Sequence, residues 1–190
     1  MLIRKATPND SEILADCIFL AMGDITYRFI GEENNEKAIA FLRSMTRERA
    51  NQYSYENSRV VEDENKKVVA AAVLYDGARL NELRKPVMSM LKQVYNRELH
   101  LEDETEKGEY YIDCIGVTPG QQGKGIGSMI LRFLIDEYVI QKGETLGLLV
   151  DKENPNAKKL YLKLGFQSAG TKVLTGKEME HLQISPTYFR

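Results

Sequence analysis

Six residues, Gln122-Gly123-Lys124-Gly125-Ile126-Gly127, constrain this chain more than any other stretch, because they stand between a strand-like segment, 110–117, and a helix-like one that continues through Tyr138. Each glycine lowers helical stability by about 1 kcal/mol relative to alanine, so three at alternate positions are a poor helix start unless something approaches the backbone closely. A helix N-terminus leaves several N–H groups without intrahelical partners and carries roughly half a positive charge. Side-chain-free residues there form an anion site, and a phosphate group is its expected occupant.

The rest of the composition narrows the class. A chain of 190 residues is expected to be one domain, 1–190, with a sizeable core. Its 43% hydrophobic and 28% charged content is ordinary for a globular protein, and no apolar run approaches the ~20 residues of a membrane helix. The N-terminus turns polar by Arg4, where a secretory signal needs an apolar stretch of about 7 to 15 residues, so a cytoplasmic location is expected. A net charge of −2 gives no global pull toward nucleic acid or anionic membrane, and neither is expected as a partner. Cys17 and Cys114 offer no disulfide framework and no C-x-x-C pair, and Cys114 reads as a small buried hydrophobe. His100 and His181 stand far apart without paired ligands; both read as ordinary surface or core residues, and no metal is expected.

Patterning predicts a first strand at 2–6 and a helix from Asp10 or Ser11 that buries Ile13, Leu14, Cys17, Ile18 and Ala21. A second helix over 33–52 turns Ala38, Ile39, Leu42 and Met45 inward, and 58–62 with 67–75 forms a hairpin whose second run is apolar enough for a central strand. Pro86 followed by Val87, Met90, Leu91 and Val94 predicts a helical insertion at about 77–109, ending in an acidic loop at 102–106. That insertion reads either as a substrate entrance or as a solvated decoration. Beyond the glycine loop, Gly143 ends a helix, 145–150 is a strand, and Asn154 with Pro155 opens a helix closed by Gly165. Residues 166–174 and 181–185 read as closing antiparallel strands.

Strand, Gln-x-x-Gly-x-Gly loop, helix and strand, followed by Asn154-Pro155-Asn156-Ala157-Lys158-Lys159-Leu160-Tyr161-Leu162-Lys163-Leu164-Gly165-Phe166, together resemble the GCN5-related N-acetyltransferase (GNAT) superfamily, closely over 110–166 and in order and type elsewhere. A dinucleotide fingerprint would need G-x-G-x-x-G after a first strand and an acidic residue about 20 positions on, which this spacing does not supply. The resemblance implies an α/β fold of α+β type, with a mixed, mostly antiparallel central sheet, one splayed parallel strand pair, and flanking helices. It implies acetyl-CoA as acyl-donor cosubstrate, its pyrophosphate wrapped by backbone N–H groups of Gln122, Gly123, Lys124, Gly125, Ile126 and Gly127, with Ser128 as a further donor. It implies that Ile115, Gly116 and Val117 pair through their main chain with the pantetheine arm, an N–H near Ile115 stabilising the oxyanion.

Asn154 has two compatible readings, helix cap and polar contact to the pantetheine amides. Tyr161 matches the family's general acid for the departing thiolate: a phenol with pKa near ~10 is protonated at neutral pH and can donate to the thiolate of a thiol with pKa about 8.5. A packing role is the alternative. Lys158 and Lys159 read as exposed helix lysines or as phosphate contacts. Alternation places Tyr111, Asp113, Ile115 and Val117 on one strand face, and a mid-strand carboxylate is costly to bury without a partner. Asp113 is therefore expected as general base or substrate anchor, with a structural hydrogen bond as the alternative. The function expected is acetyl transfer from acetyl-CoA to a primary amine of a small molecule or peptide by direct attack. The competing expectation is a non-catalytic acyl-CoA-binding or regulatory module; a homodimer is what the resemblance leads one to expect.

Overall fold

Val68 to Leu74 is buried at every position, so β3 (Val68–Asp76) must be covered on both faces and sit inside a sheet rather than at its edge. The computed structural model, which describes residues 1–189, has β1 (Leu2–Lys5), β2 (Ser58–Glu62), β3, β4 (Tyr110–Val117), β5 (Leu146–Asp151), β6 (Gln167–Leu174) and β7 (Lys177–Ile184). Among the described residues these form a seven-stranded sheet in the order β1-β2-β3-β4-β5-β7-β6. It is mixed and mostly antiparallel, with β4 and β5 as the parallel pair. The expected α/β class is therefore the one observed. The helices are α1 (Ser11–Ile30), α2 (Asn35–Arg47), α3 (Leu80–Tyr95), α4 (Ile126–Leu134) and α5 (Pro155–Lys163). The chain divides into two compact units, one of Met1–Leu74, Asn81–His100 and Cys114–Gly127, the other of Tyr75–Leu80, Leu101–Asp113 and the chain from Ser128 onward.

In the first unit, α1 buries Leu14, Cys17 and Ile18 as its spacing predicts, but Ala21 is exposed. The cause is a kink at Met22 (φ −141°, ψ 33°), which shifts the helical phase so that Met22, Phe29 and Ile30 take over the buried stripe. The second helix is shorter than expected, ending at Arg47 and not 52. Asn51 stops it: its side-chain amide donates to the carbonyls of Met45 (2.9 Å) and Glu48 (3.1 Å), satisfying helix-end acceptors that further turns would have used. The buried Phe41, absent from the expected stripe, stacks edge-on with Phe29 and Tyr95, whereas Ile39 is half-buried. Helix α3 starts at Leu80, ahead of Pro86, which lies inside it; Leu83, Val87 and Leu91 are buried and Val94 is 62% exposed.

The same unit is pinned at its N-terminal strand by Arg4, whose guanidinium contacts Asp10 (2.8 Å) and Glu62 (2.6 Å). The hydrogen bond from Arg4 is the largest influence on Asp10; burial opposes it, the Thr7 N–H and hydroxyl reinforce it, and the carboxyl titrates at about 2. A carboxyl depressed in the folded state adds stability above its unfolded pKa and loses it as the pH falls through the folded one. Asp10→Asn is therefore expected to lower the unfolding free energy by roughly 2 kcal/mol at neutral pH. In urea titrations the difference from wild type should shrink as the pH falls from about 4 toward 2.

The second unit joins β4 to β5 through the register Tyr110↔Leu146, Tyr111↔Gly147 and Ile112↔Leu148. Strand β7 begins at Lys177, earlier than expected, and pairs with β6 across a Thr175-Gly176 turn in which both residues are left-handed (φ 51° and 77°). After α4 the helix continues as a π-helical segment, Ile135–Gln141, which buries the neighbours Tyr138 and Val139. Tyr138 packs on Tyr110 with ring centroids 4.6 Å apart, and the Lys142 ammonium lies 3.8 Å from the Tyr138 ring centroid.

Candidate functional site

Two physical kinds of glycine occur in and around the glycine loop. At Gly116, in β4, a β-carbon would lie 1.9 Å from the carbonyl oxygen of Cys17, so this glycine lets the α1 backbone lie directly on the strand. The Cys17 thiol in the same contact is fully buried, and desolvation pushes its pKa up to about 12. Gly127, in the first turn of α4, is the opposite case: an added β-carbon would meet no atom of the chain within 4 Å, and its φ is outside the left-handed range. Neither packing nor backbone conformation asks for glycine there. Gly123 and Gly125 are likewise open, with φ of 76° and 81° that favour glycine.

The loop is shaped from within. Thr118 ties it to β3, its N–H and hydroxyl both 3.0 Å from the Val69 carbonyl, and the Gln122 side-chain amide donates to the Val117 carbonyl at 3.0 Å. Lys124 reaches Gln121 at 3.1 Å on the exposed side. Ile126 is buried and anchors the helix start, whereas Gln122, Gly123, Lys124 and Gly125 are exposed and Ser128 is half-buried. Ile115 and Val117 are half-buried and Gly116 is buried.

In the other unit, Asn154 caps α5, its side-chain oxygen accepting from the Ala157 N–H at 3.1 Å. Tyr161, two turns into α5, is half-buried and stacks edge-on against Phe166 at 5.9 Å. Burial raises its pKa above the usual value, with no charge or hydrogen bond contributing, so the phenol is protonated at neutral pH. Lys158 pairs with Glu180 at 2.7 Å. Asp113 is half-buried, and its Oδ2 accepts from the Tyr75 hydroxyl at 2.9 Å. The same hydroxyl stands 3.1 Å from Oε1 of Glu104.

The acidic stretch 102–106 is mixed: Glu102, Asp103 and Glu106 are exposed, whereas Glu104 and Thr105 are buried. Glu109 lies beneath them, 3% exposed, and its carboxylate takes bonds from Thr105 Oγ1 (2.7 Å) and Gln183 Nε2 (2.7 Å) and contacts His181 Nε2 at 2.8 Å. Burial opposes ionisation of Glu109, but the bonds from His181, Thr105 and Gln183 outweigh it and hold the carboxyl below the usual range. His181 is thus a core residue with a dedicated partner, while His100 is exposed. Cys114 is half-buried rather than buried. Sequence reasoning missed Tyr75, Glu104 and Glu109; the available signal was a tyrosine at the end of an otherwise apolar buried strand, whose hydroxyl had to find a polar partner. Among the described residues no group of three or more His, Cys, Asp or Glu could hold a metal ion, and no helix is long and apolar enough to cross a membrane.

Comparison with known proteins places this geometry. The model of the acetyltransferase (GNAT) family matches residues 27–166. The chain belongs to that family. It is similar to a crystal structure of an acetyltransferase with 30% identity and TM-score 0.82, over 97% of this chain and 99% of the other. An N-acetyltransferase from Staphylococcus aureus Mu50 shares the fold at 24% identity, with TM-score 0.83 over 97% of this chain and all of that one. The N-alpha-acetyltransferase RimI of Mycobacterium tuberculosis (strain ATCC 25618 / H37Rv) is 42% identical over 62 residues, a match spanning 33% of this chain and 37% of that protein. Membership of the GNAT family accords with the mixed, mostly antiparallel sheet and its flanking helices.

The Glu109 carboxylate leaves no room behind it: a β-carbon at Gly147 would lie 1.7 Å from its Oε2. Gly147→Ala is expected to cost roughly 2–4 kcal/mol in chemical denaturation, because it must displace a buried, hydrogen-bonded charge. Glu109→Gln should be destabilising at neutral pH, with the loss fading as acid protonates the wild-type carboxylate.

Proposed function

We propose that this chain acts as one acetyltransferase domain that moves an acetyl group from acetyl-CoA to a primary amine of a small molecule or peptide by direct attack. The observation that carries the reading is Gly127: a helix start with no side chain, open space in front, and no internal reason for glycine. The first N–H groups of an α-helix point along its axis without partners, and an anion laid against them needs such space. The residues proposed for the pyrophosphate are Gln122, Gly123, Lys124, Gly125, Ile126, Gly127 and Ser128. The short β4–β5 register, ending at Ile112↔Leu148, supports main-chain pairing of the pantetheine arm by Ile115, Gly116 and Val117. Asn154 adds a polar contact beside its capping bond.

Acetyl-CoA supplies the thioester whose C–S bond breaks as the C–N bond to the acceptor forms. Asp113 takes a proton from the acceptor ammonium, and Tyr161 gives one to the departing thiolate. The raised pKa of Tyr161 supports the acid role, since the proton is held throughout the neutral range. No metal takes part in this scheme, and a cytoplasmic, homodimeric protein is the setting proposed for it.

Calorimetry with acetyl-CoA and release of free CoA over a panel of amines test the reading together. Gly127→Val is expected to weaken acetyl-CoA binding by at least about tenfold without lowering the melting temperature, because a β-carbon there meets no chain atom within 4 Å and valine has the higher helix propensity. Tyr161→Phe is expected to lower kcat about a hundredfold while acetyl-CoA affinity stays within about twofold. Tight acetyl-CoA binding with no turnover on any amine would favour the non-catalytic module instead.

A further inference from the structure

Tyr75, next to last in β3, is 3% exposed, and its hydroxyl lies within hydrogen-bond distance of two carboxylates, 2.9 Å from Asp113 and 3.1 Å from Glu104. A phenol carries one proton and donates to one acceptor at a time. With both carboxylates ionised, the hydroxyl can serve only one of them at a time. If Asp113 gains and loses a proton, both contacts have a use.

Glu104 is held in place by the stretch that carries it. Glu102 accepts from the backbone N–H groups of Thr175 (3.0 Å) and Gly176 (3.2 Å), and Glu106 lies 3.8 Å from the Lys172 ammonium. Thr105 and Glu106 pass so close over Gly77 that a β-carbon there would lie 2.4 Å from Thr105 Oγ1 and 2.2 Å from the Glu106 carbonyl oxygen. Nearby titratable groups have partners of their own: Glu109 with His181, and Asp76 with the Ala78 N–H. Tyr111 faces Tyr75 with its ring, centroids 5.9 Å apart.

We propose that Tyr75 is a positioning residue that turns its single O–H between Asp113 and Glu104 as Asp113 changes protonation state. This rests on the acetyl-transfer reading with Asp113 as base. With Asp113 ionised, the Tyr75 O–H donates to it. When the acceptor ammonium arrives, an N–H bond breaks, its electron pair stays on nitrogen, and an O–H bond forms on Asp113. The new Asp113 O–H then donates to the Tyr75 oxygen, and the Tyr75 O–H swings about its C–O bond to Glu104. Tyr75 and Glu104 keep their own protonation states, so one proton moves from nitrogen to Asp113 and nothing else changes hands. Asp113 is hydrogen-bonded before and after the transfer without backbone movement.

Tyr75→Phe keeps the ring and removes the switch; it is expected to lower kcat/KM for the amine about ten- to hundredfold, with acetyl-CoA affinity unchanged. Glu104→Ala should give a similar loss, Glu104→Gln should restore most of it because the amide oxygen still accepts, and Tyr75→Phe with Glu104→Ala should be no worse than the worse single variant. Additive losses, or a glutamine as poor as the alanine, would overturn the proposal. A second readout needs no turnover: in protein labelled with carbon-13 at the tyrosine ζ position, the Tyr75 signal should shift with the midpoint of the Asp113 carboxyl and stay flat in Asp113→Asn. A flat Tyr75 signal in the wild type overturns the switch even if the enzyme is active. Failure of the acetyl-transfer reading looks different, with no CoA released from any amine while the Tyr75 signal still titrates.

Discussion

A carboxylate that is 3% exposed must have its charge met by the protein, and Glu109 has it met by a hydroxyl, an amide and an imidazole. Much of the second unit is arranged around that requirement. Gly147 leaves β5 bare where the carboxylate lies, β7 presents His181 and Gln183 two residues apart on one face, and Thr105 reaches Glu109 from its own stretch. The Glu109 carbonyl meanwhile accepts from the Gly77 N–H at 2.9 Å, just past the end of β3. One ionised group therefore sets the course of 101–109 and, through it, the position of Glu104 beside Tyr75.

The glycines show how a fold can carry two messages in one residue type. Gly77, Gly116 and Gly147 are filled from within, by backbone or by a carboxylate, and report how closely elements of the chain pack. At Gly123, Gly125 and Gly127 an added β-carbon would meet no atom of the chain within 4 Å. Composition cannot separate these kinds, whereas the neighbourhood of a missing β-carbon does.

What was legible in the sequence follows the same division. The order of strands and helices, the glycine loop, the Asn154 cap and the placement of Tyr161 on α5 all depend on near neighbours in the chain, and local pattern carries them. The differences arise where side-chain bonds, a backbone kink or distant partners decide, none of which hydrophobic period encodes. The expected second helix runs five residues past the observed C-terminal end because the Asn51 amide folds back on its carbonyls. The spacing places Ala21 inward because a kink at Met22 leaves no mark on hydrophobic period. The charges of 102–106 are visible in sequence, but their partners on β3 and the β6–β7 hairpin are not. Burial of a charge is a property of pairs, and one chain read end to end shows one member at a time.

After α4 the helix runs on in π geometry over Ile135–Gln141. A π turn bonds i to i+5 where an α turn bonds i to i+4, so it houses an additional residue without lengthening the helix to match. Equivalent positions before and after Ile135–Gln141 are thus separated by a different count of residues here than in a relative whose helix is regular. Correspondence along this family is sound when each side is anchored on its own landmark, the glycine loop upstream and the Asn154-Pro155 start downstream. Against a relative whose helix is regular, numbers carried straight across this segment shift by about one residue.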